Sequence, residues 1–115
     1  GVRRYERGVT PPLLGPRLAD IEFGHERAYV ARMAEAARAR GIPVAFLFLP
    51  YYSGPLEIQE RRFYERFGPI IDAGFVASHD EWWSDVAHLN HQGALVLSDW
   101  LAPRLIPLMA PETPR

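Results

Sequence analysis

From about His25 to Arg40, Tyr29, Met33, Ala36 and Ala37 recur at spacings of three and four, which lines them along one helical face. Glu22 and Glu26 stand at the end where a helix dipole is positive, Arg38 and Arg40 at the other, and Gly41 supplies the stop. The stripe reads as a core-packing face. The periodicity then vanishes: Val44–Leu49 is an unbroken apolar run between Pro43 and Pro50. Such a run predicts a strand covered on both faces, as in a parallel sheet. A second helix is expected over about Leu56 to Phe67, with Pro55 at its first position and Gly68-Pro69 ending it. Leu56, Phe63 and Phe67 would form its inner face. A short second strand is expected around Gly74-Phe75-Val76-Ala77. The last helix begins at Asn90, a good N-cap, and turns Ala94, Leu97 and Leu101 inward until Pro103 weakens it.

Strand, helix and strand over residues 43–78 have the size of one βαβ crossover, whose two strands run parallel. The fold class is therefore α/β. Two strands alone cannot cover both faces of Val44–Leu49, because parallel sheets need several strands with helices on each side. Further strands are expected from upstream chain or from a second subunit, so the chain reads as part of an open α/β domain. Prolines crowd both ends, which makes residues 1–24 an irregular lead-in, 25–106 the α/β portion and 107–115 a flexible tail.

Composition narrows the chemistry more than the fold. The chain of 115 residues suits one domain and carries a net charge of −1, without the basic excess of nucleic-acid binders. No apolar run approaches the roughly 18 to 20 residues of a membrane span. Cys is absent, which removes thiolate nucleophiles and Cys zinc sites. Lys is absent too, which removes Schiff-base chemistry and the Lys-bearing phosphate loop. Covalent chemistry is left to Ser, Thr, His, Tyr or a carboxylate, and no cofactor is expected.

In open α/β sheets, ligands bind beyond the carboxyl ends of the strands. Two segments leave that edge: Pro50-Tyr51-Tyr52-Ser53-Gly54 after the first strand, and Ser78 to Asn90 after the second. The second holds two His, three carboxylates and two Trp. Asp85 and His88 form its candidate catalytic pair. A His accepts a proton from a hydroxyl and returns it to a leaving group, and a carboxylate in reach fixes its tautomer and stabilises the imidazolium. Tyr51, Tyr52, Trp82 and Trp83 are candidate substrate-binding aromatics, with one Trp expected in the core and the other at the rim. Asp85, His88 and His91, with His79, also have the ligand types of a zinc site. The setting of the first two favours the catalytic reading, and no metal is assigned. Arg61, Arg62 and Arg66 read as a solvated helix face.

The segment Asp85-Val86-Ala87-His88-Leu89-Asn90-His91-Gln92-Gly93-Ala94, leading into an apolar helix, resembles the final block of the SGNH/GDSL hydrolase superfamily. There the pattern D-x-x-H-L-N-x-x-G-A precedes the last helix. The likeness spans about residues 25–105 and is strongest to the envelope-associated branch of polysaccharide O-acetylation proteins and acyl esterases. It implies a flavodoxin-like three-layer α/β/α fold lacking its N-terminal strands. It also implies an esterase or O-acyltransferase in which His88 is the general base and Asp85 its orienter. The substrate would be an ester, such as an acylated polysaccharide, and the setting the cell envelope or periplasm. The superfamily's nucleophile lies in a Gly-Asp-Ser-like turn after the first strand, and no such turn occurs here. Ser53, Ser78, Ser84 and Ser98 match that position poorly, so the nucleophile is expected outside this segment. The other expectation, from the same absence, is a non-catalytic interaction or scaffolding domain built on that fold.

Overall fold

The computed structural model describes residues 23–109. Helix α1 (Gly24–Ala39) leads into strand β1 (Phe46–Phe48), a short helix α2 (Arg61–Glu65) and strand β2 (Ile70–Asp72). Two 3₁₀ turns, Gly74–Ser78 and Asp80–Trp82, then precede the long helix α3 (His91–Met109). The strands form a two-stranded parallel sheet in the register Phe46↔Ile70, Leu47↔Ile71 and Phe48↔Asp72. The protein is thus a small mixed α/β unit. Among the described residues no helix is long and apolar enough to cross a membrane.

Several element boundaries depart from the sequence pattern, each for a local reason. The second helix begins only at Arg61, because Glu60 takes a left-handed conformation (φ 64°) that interrupts the chain's winding. Pro55 therefore lies in the preceding loop instead of the first helical turn. Glu60 is held there by an ion pair from Arg27 of α1. The second strand is Ile70–Asp72, not residues 74–77. Asp72 Oδ1 accepts the Gly74 N–H at 2.8 Å, a local turn that ends the strand and winds Gly74–Ser78 into 3₁₀. Helix α3 continues through Pro103 and Pro107 to Met109. Arg104 lies over the Trp100 ring at 4.0 Å and donates to the Trp100 carbonyl at 2.6 Å, bracing the turn beside Pro103. The tail expected from residue 107 thus starts inside a helix; residues 110–115 and 1–22 lie outside the described part.

Burial concentrates in the second half of the chain. Ala73, Val76, Ala77 and Trp83 are buried, and Trp83 is the largest of them at 1% exposed. Its indole Nε1 donates to the Val76 carbonyl at 2.8 Å, so its one polar atom is satisfied inside the core. Gly68 sets the approach of the α2–β2 junction to the start of β1. A Cβ at Gly68 would lie 2.1 Å from the Val44 carbonyl oxygen. On the sheet's inner side Phe46 packs against Tyr64 at 4.9 Å between ring centroids, and burial raises the Tyr64 hydroxyl above its ordinary pKa. Much of the expected apolar stripe of α1 is exposed, with Tyr29 at 62% and Met33 at 65%, while Ala34, off that stripe, is the buried residue.

Trp83→Ala should lower the unfolding free energy by about 3–5 kcal/mol, the usual cost of deleting a fully buried large aromatic. Trp83→Phe should lose less, since the Val76 carbonyl keeps the His79 N–H at 3.2 Å when the indole donor is removed. Denaturant unfolding of both variants measures the difference.

Candidate functional site

The parallel strands send both loops to the same edge of the sheet, where backbone bonds join them. The Tyr52 N–H donates to the Val86 carbonyl at 2.9 Å, and the Ser53 N–H to the Ala77 carbonyl at 2.7 Å. The Tyr52 hydroxyl reaches Asp80 Oδ1 at 2.6 Å, and its ring lies 6.1 Å from that of Trp83. The loop after β1 is therefore bolted to the segment that carries Asp85 and His88.

That segment is a hairpin on the way into α3. Trp83 and Leu89 form an antiparallel bridge, and the Ser84 N–H donates to the His88 carbonyl at 2.7 Å. Asp85 and His88 occupy the tip. His88 Nδ1 lies 2.8 Å from Asp85 Oδ1 and 3.0 Å from Oδ2. Asp85 Oδ1 also accepts the Ala87 N–H at 2.8 Å, which holds the carboxylate from the backbone as well. That backbone bond, more than the His88 contact, holds the Asp85 carboxyl below its ordinary pKa of 3.8. In the tautomer whose Nδ1–H faces the carboxylate, the lone pair of the imidazole sits on Nε2. His88 is 76% exposed along its side chain, so this nitrogen is accessible.

The remaining motif residues have structural work that explains their types. Asn90 caps α3: its Oδ1 accepts the Gly93 N–H at 2.8 Å. Its Nδ2 donates to the Glu81 carbonyl at 2.8 Å, and its backbone N–H to the Trp82 carbonyl at 2.8 Å. Gly93 is buried, and a Cβ there would lie 2.2 Å from the Trp82 carbonyl oxygen. Only a glycine lets the first turn of α3 approach the hairpin so closely. Asn90 and Gly93 thus fix where the hairpin base meets the helix.

The aromatic candidates separate. Trp83 is core and has no surface to offer a ligand, which corrects its assignment as a substrate-binding residue. Trp82 is half-buried, stacked on His79 with ring centroids 3.9 Å apart and planes 14° from parallel. Tyr51 is 42% exposed at the end of β1, whereas Tyr52 is held by Asp80 and Val86. A second His–carboxylate contact, His79 Nδ1 to Glu81 Oε2 at 3.2 Å, sits at the start of the segment and was missed in the sequence. The spacing H-x-E alone gives no reason to single it out. Among the described residues no group of three or more His or carboxylates is gathered closely enough to hold a metal ion. His91 is an exposed first-turn residue, and Arg61 and Arg62 on α2 and Arg66 just past its end are exposed.

No serine hydroxyl is hydrogen-bonded to His88 among the described residues. Ser53 is exposed and sits in a left-handed turn (φ 57°), Ser84 flanks Asp85 on the hairpin, Ser78 ends a 3₁₀ turn and Ser98 lies within α3. No family model, curated protein or solved structure matches the chain.

Two predictions follow from this geometry. Gly93→Ala should destabilise the fold by about 1–3 kcal/mol, the range for overpacking, because the new methyl meets backbone and not a mobile side-chain end. Thermal or denaturant unfolding measures it. The second concerns pH. Since the folded Asp85 carboxyl is lowered, the Asp85-Ala87-His88 contacts are fully present above about pH 3.8 and are lost as pH falls through the lowered value. The Ala87 amide resonance should therefore titrate below pH 3.8 in the folded protein, and not near it in Asp85→Asn.

Proposed function

We propose that these residues are the acid–base half of an SGNH-like serine esterase or O-acyltransferase. The observation that carries the reading is the Asp85–His88 pair, joined through Nδ1 at 2.8 Å with Nε2 left outward, on the block Asp85–Ala94. His88 would take the proton of a serine hydroxyl as it attacks an ester carbonyl, then return it to the departing alcohol. Asp85 would hold the ring and stabilise the imidazolium. The serine would come from outside these residues, and the whole would be a flavodoxin-like three-layer domain completed by upstream chain or a second subunit. The substrate is an ester, with an acyl group on a polysaccharide as the favoured class. Tyr51 and Trp82 are the aromatics left with exposed surface for it.

A non-catalytic scaffold is the competing reading, favoured by one observation: no serine hydroxyl meets His88 among the described residues. Labelling of the full-length natural product by a fluorophosphonate distinguishes the two. The hydrolase reading expects labelling at a serine, slowed by roughly 10²–10⁴-fold in His88→Ala. Asp85→Asn should slow it by up to about 10⁴-fold with the fold intact, as expected when a base is left in the wrong tautomer. Labelling that is absent, or indifferent to His88, supports the scaffold.

A further inference from the structure

The bonds that make the Asp85–His88 pair lie inside residues 84–88, so they fix its inner geometry without fixing where it points. The Ser84 and Asp85 N–H groups donate to the His88 carbonyl, and the Asp85 carboxylate takes the Ala87 N–H and faces His88 Nδ1. Among the described residues, one hydrogen bond leaves this tip for the rest of the fold: the Val86 carbonyl accepts the Tyr52 N–H at 2.9 Å. Val86 stands between the two members of the pair. The placement of the Tyr52 amide therefore becomes the placement of the tip.

That amide is itself held from two directions. The Tyr52 ring lies 6.1 Å from the ring of Trp83 at the root of the hairpin, and its hydroxyl donates to Asp80 Oδ1 at 2.6 Å, just before that root. A hydroxyl on a carboxylate is a bond of the stronger, charge-assisted kind. On the backbone side, the Gly54 N–H closes a turn on the Tyr51 carbonyl at 2.9 Å, and the Ser53 N–H reaches the Ala77 carbonyl at 2.7 Å. The turn puts Ser53 in left-handed backbone (φ 57°), which is costly for a residue other than glycine and persists only where its neighbours over-determine it. The bonds of Tyr52 and Ser53 to residues 77–86 supply that constraint.

We propose that Tyr52 is a positioning residue for the Asp85–His88 pair. Its phenol, seated on Trp83 and Asp80, fixes the amide that aims the hairpin tip through the Val86 carbonyl. Tyr52 thus serves the site without touching a substrate, unlike its neighbour Tyr51, which is 42% exposed. The placement of the tip is a property of the fold. Its effect on a reaction rests on the hydrolase reading, in which His88 Nε2 must meet a serine, and a misplacement of about 1 Å costs up to about 10²-fold in rate.

Amide hydrogen exchange of the 115-residue chain, followed by NMR, tests the placement, with the Ala73 N–H that bonds the Phe48 carbonyl as internal reference. In Tyr52→Phe the ring stays on Trp83 and only the hydroxyl goes. Relative to Ala73, the Tyr52 and Ser53 amides should then exchange at least about tenfold faster, as for the loss of a hydrogen bond to a charged group. Residual dipolar couplings of residues 85–89 should depart from the alignment frame of the two strands. The Ala87 amide and His88 ring-nitrogen shifts should stay, because the pair itself is untouched. Asp80→Asn keeps an oxygen acceptor for the hydroxyl and should fall between wild type and Tyr52→Phe; it carries the same comparison if Tyr52→Phe fails to fold. Unchanged exchange at Tyr52 and Ser53 overturns the proposal, as do couplings that keep the tip in the frame of the strands. Equal acceleration at Ala73 overturns it too, because Tyr52 would then only support the core. On the full-length product, fluorophosphonate labelling should slow by at least about tenfold in Tyr52→Phe, with a pH dependence that stays in place because it belongs to His88. Labelling of that variant at the wild-type rate overturns the positioning role. A wild type that is never labelled sinks the hydrolase reading alone, and exchange and couplings then decide the role of Tyr52.

Discussion

The bond from the Trp83 indole to the Val76 carbonyl is the joint on which the site depends. Val76 belongs to the 3₁₀ turn that follows β2, and Trp83 is the first residue of the hairpin. One buried donor therefore fastens the loop to the sheet at the place where the backbone is least regular. Once Trp83 is seated, its bridge to Leu89 closes the hairpin. The Trp82 carbonyl next to it then receives the Asn90 N–H, with Gly93 passing just above. Strand, hairpin and helix meet through these few contacts, and most of the remaining polar bonds of the site serve to aim them. The fixed platform this creates is what loop-borne chemistry requires of its scaffold.

The parts of this arrangement that could be read from the chain were those set by short-range signals. Asn90 as a cap, the parallel pairing of an apolar run with a later one, and the division of the two Trp between core and rim all follow from residue type and spacing. What escaped was decided by single backbone events. The left-handed turn at Glu60 depends on an ion pair from Arg27, far away in sequence, so no local pattern announces it. The displacement of the second strand depends on Asp72 capturing the Gly74 N–H. Val76 and Ala77 are apolar because they face the core from a 3₁₀ turn, and that signal is indistinguishable from a short strand over so few residues. Helix α3 runs through two prolines, where intrinsic propensity alone argues for a stop. The candidate pair was visible through its motif, but its setting on a hairpin tip was not, because D-x-x-H suits a turn and a helix entry alike.

The exposed apolar surface has a distribution of its own. Tyr29 and Met33 on α1 and Leu47 and Leu49 on β1 are exposed, whereas Trp83 and Val76 are fully buried. Among the described residues the deepest packing lies around Trp83, next to the hairpin that bears Asp85 and His88. A sheet of two strands gains much from lengthening, since isolated pairs of strands are marginal in water.

The Asp85–His88 contact spans only three residues, and it is closed by backbone bonds inside the same hairpin. The entropic cost of closing so short a loop is small, so its alignment is among the earliest that the chain can acquire while folding. The contact is local in the chain, so its geometry is set by the hairpin tip once the hairpin itself is seated.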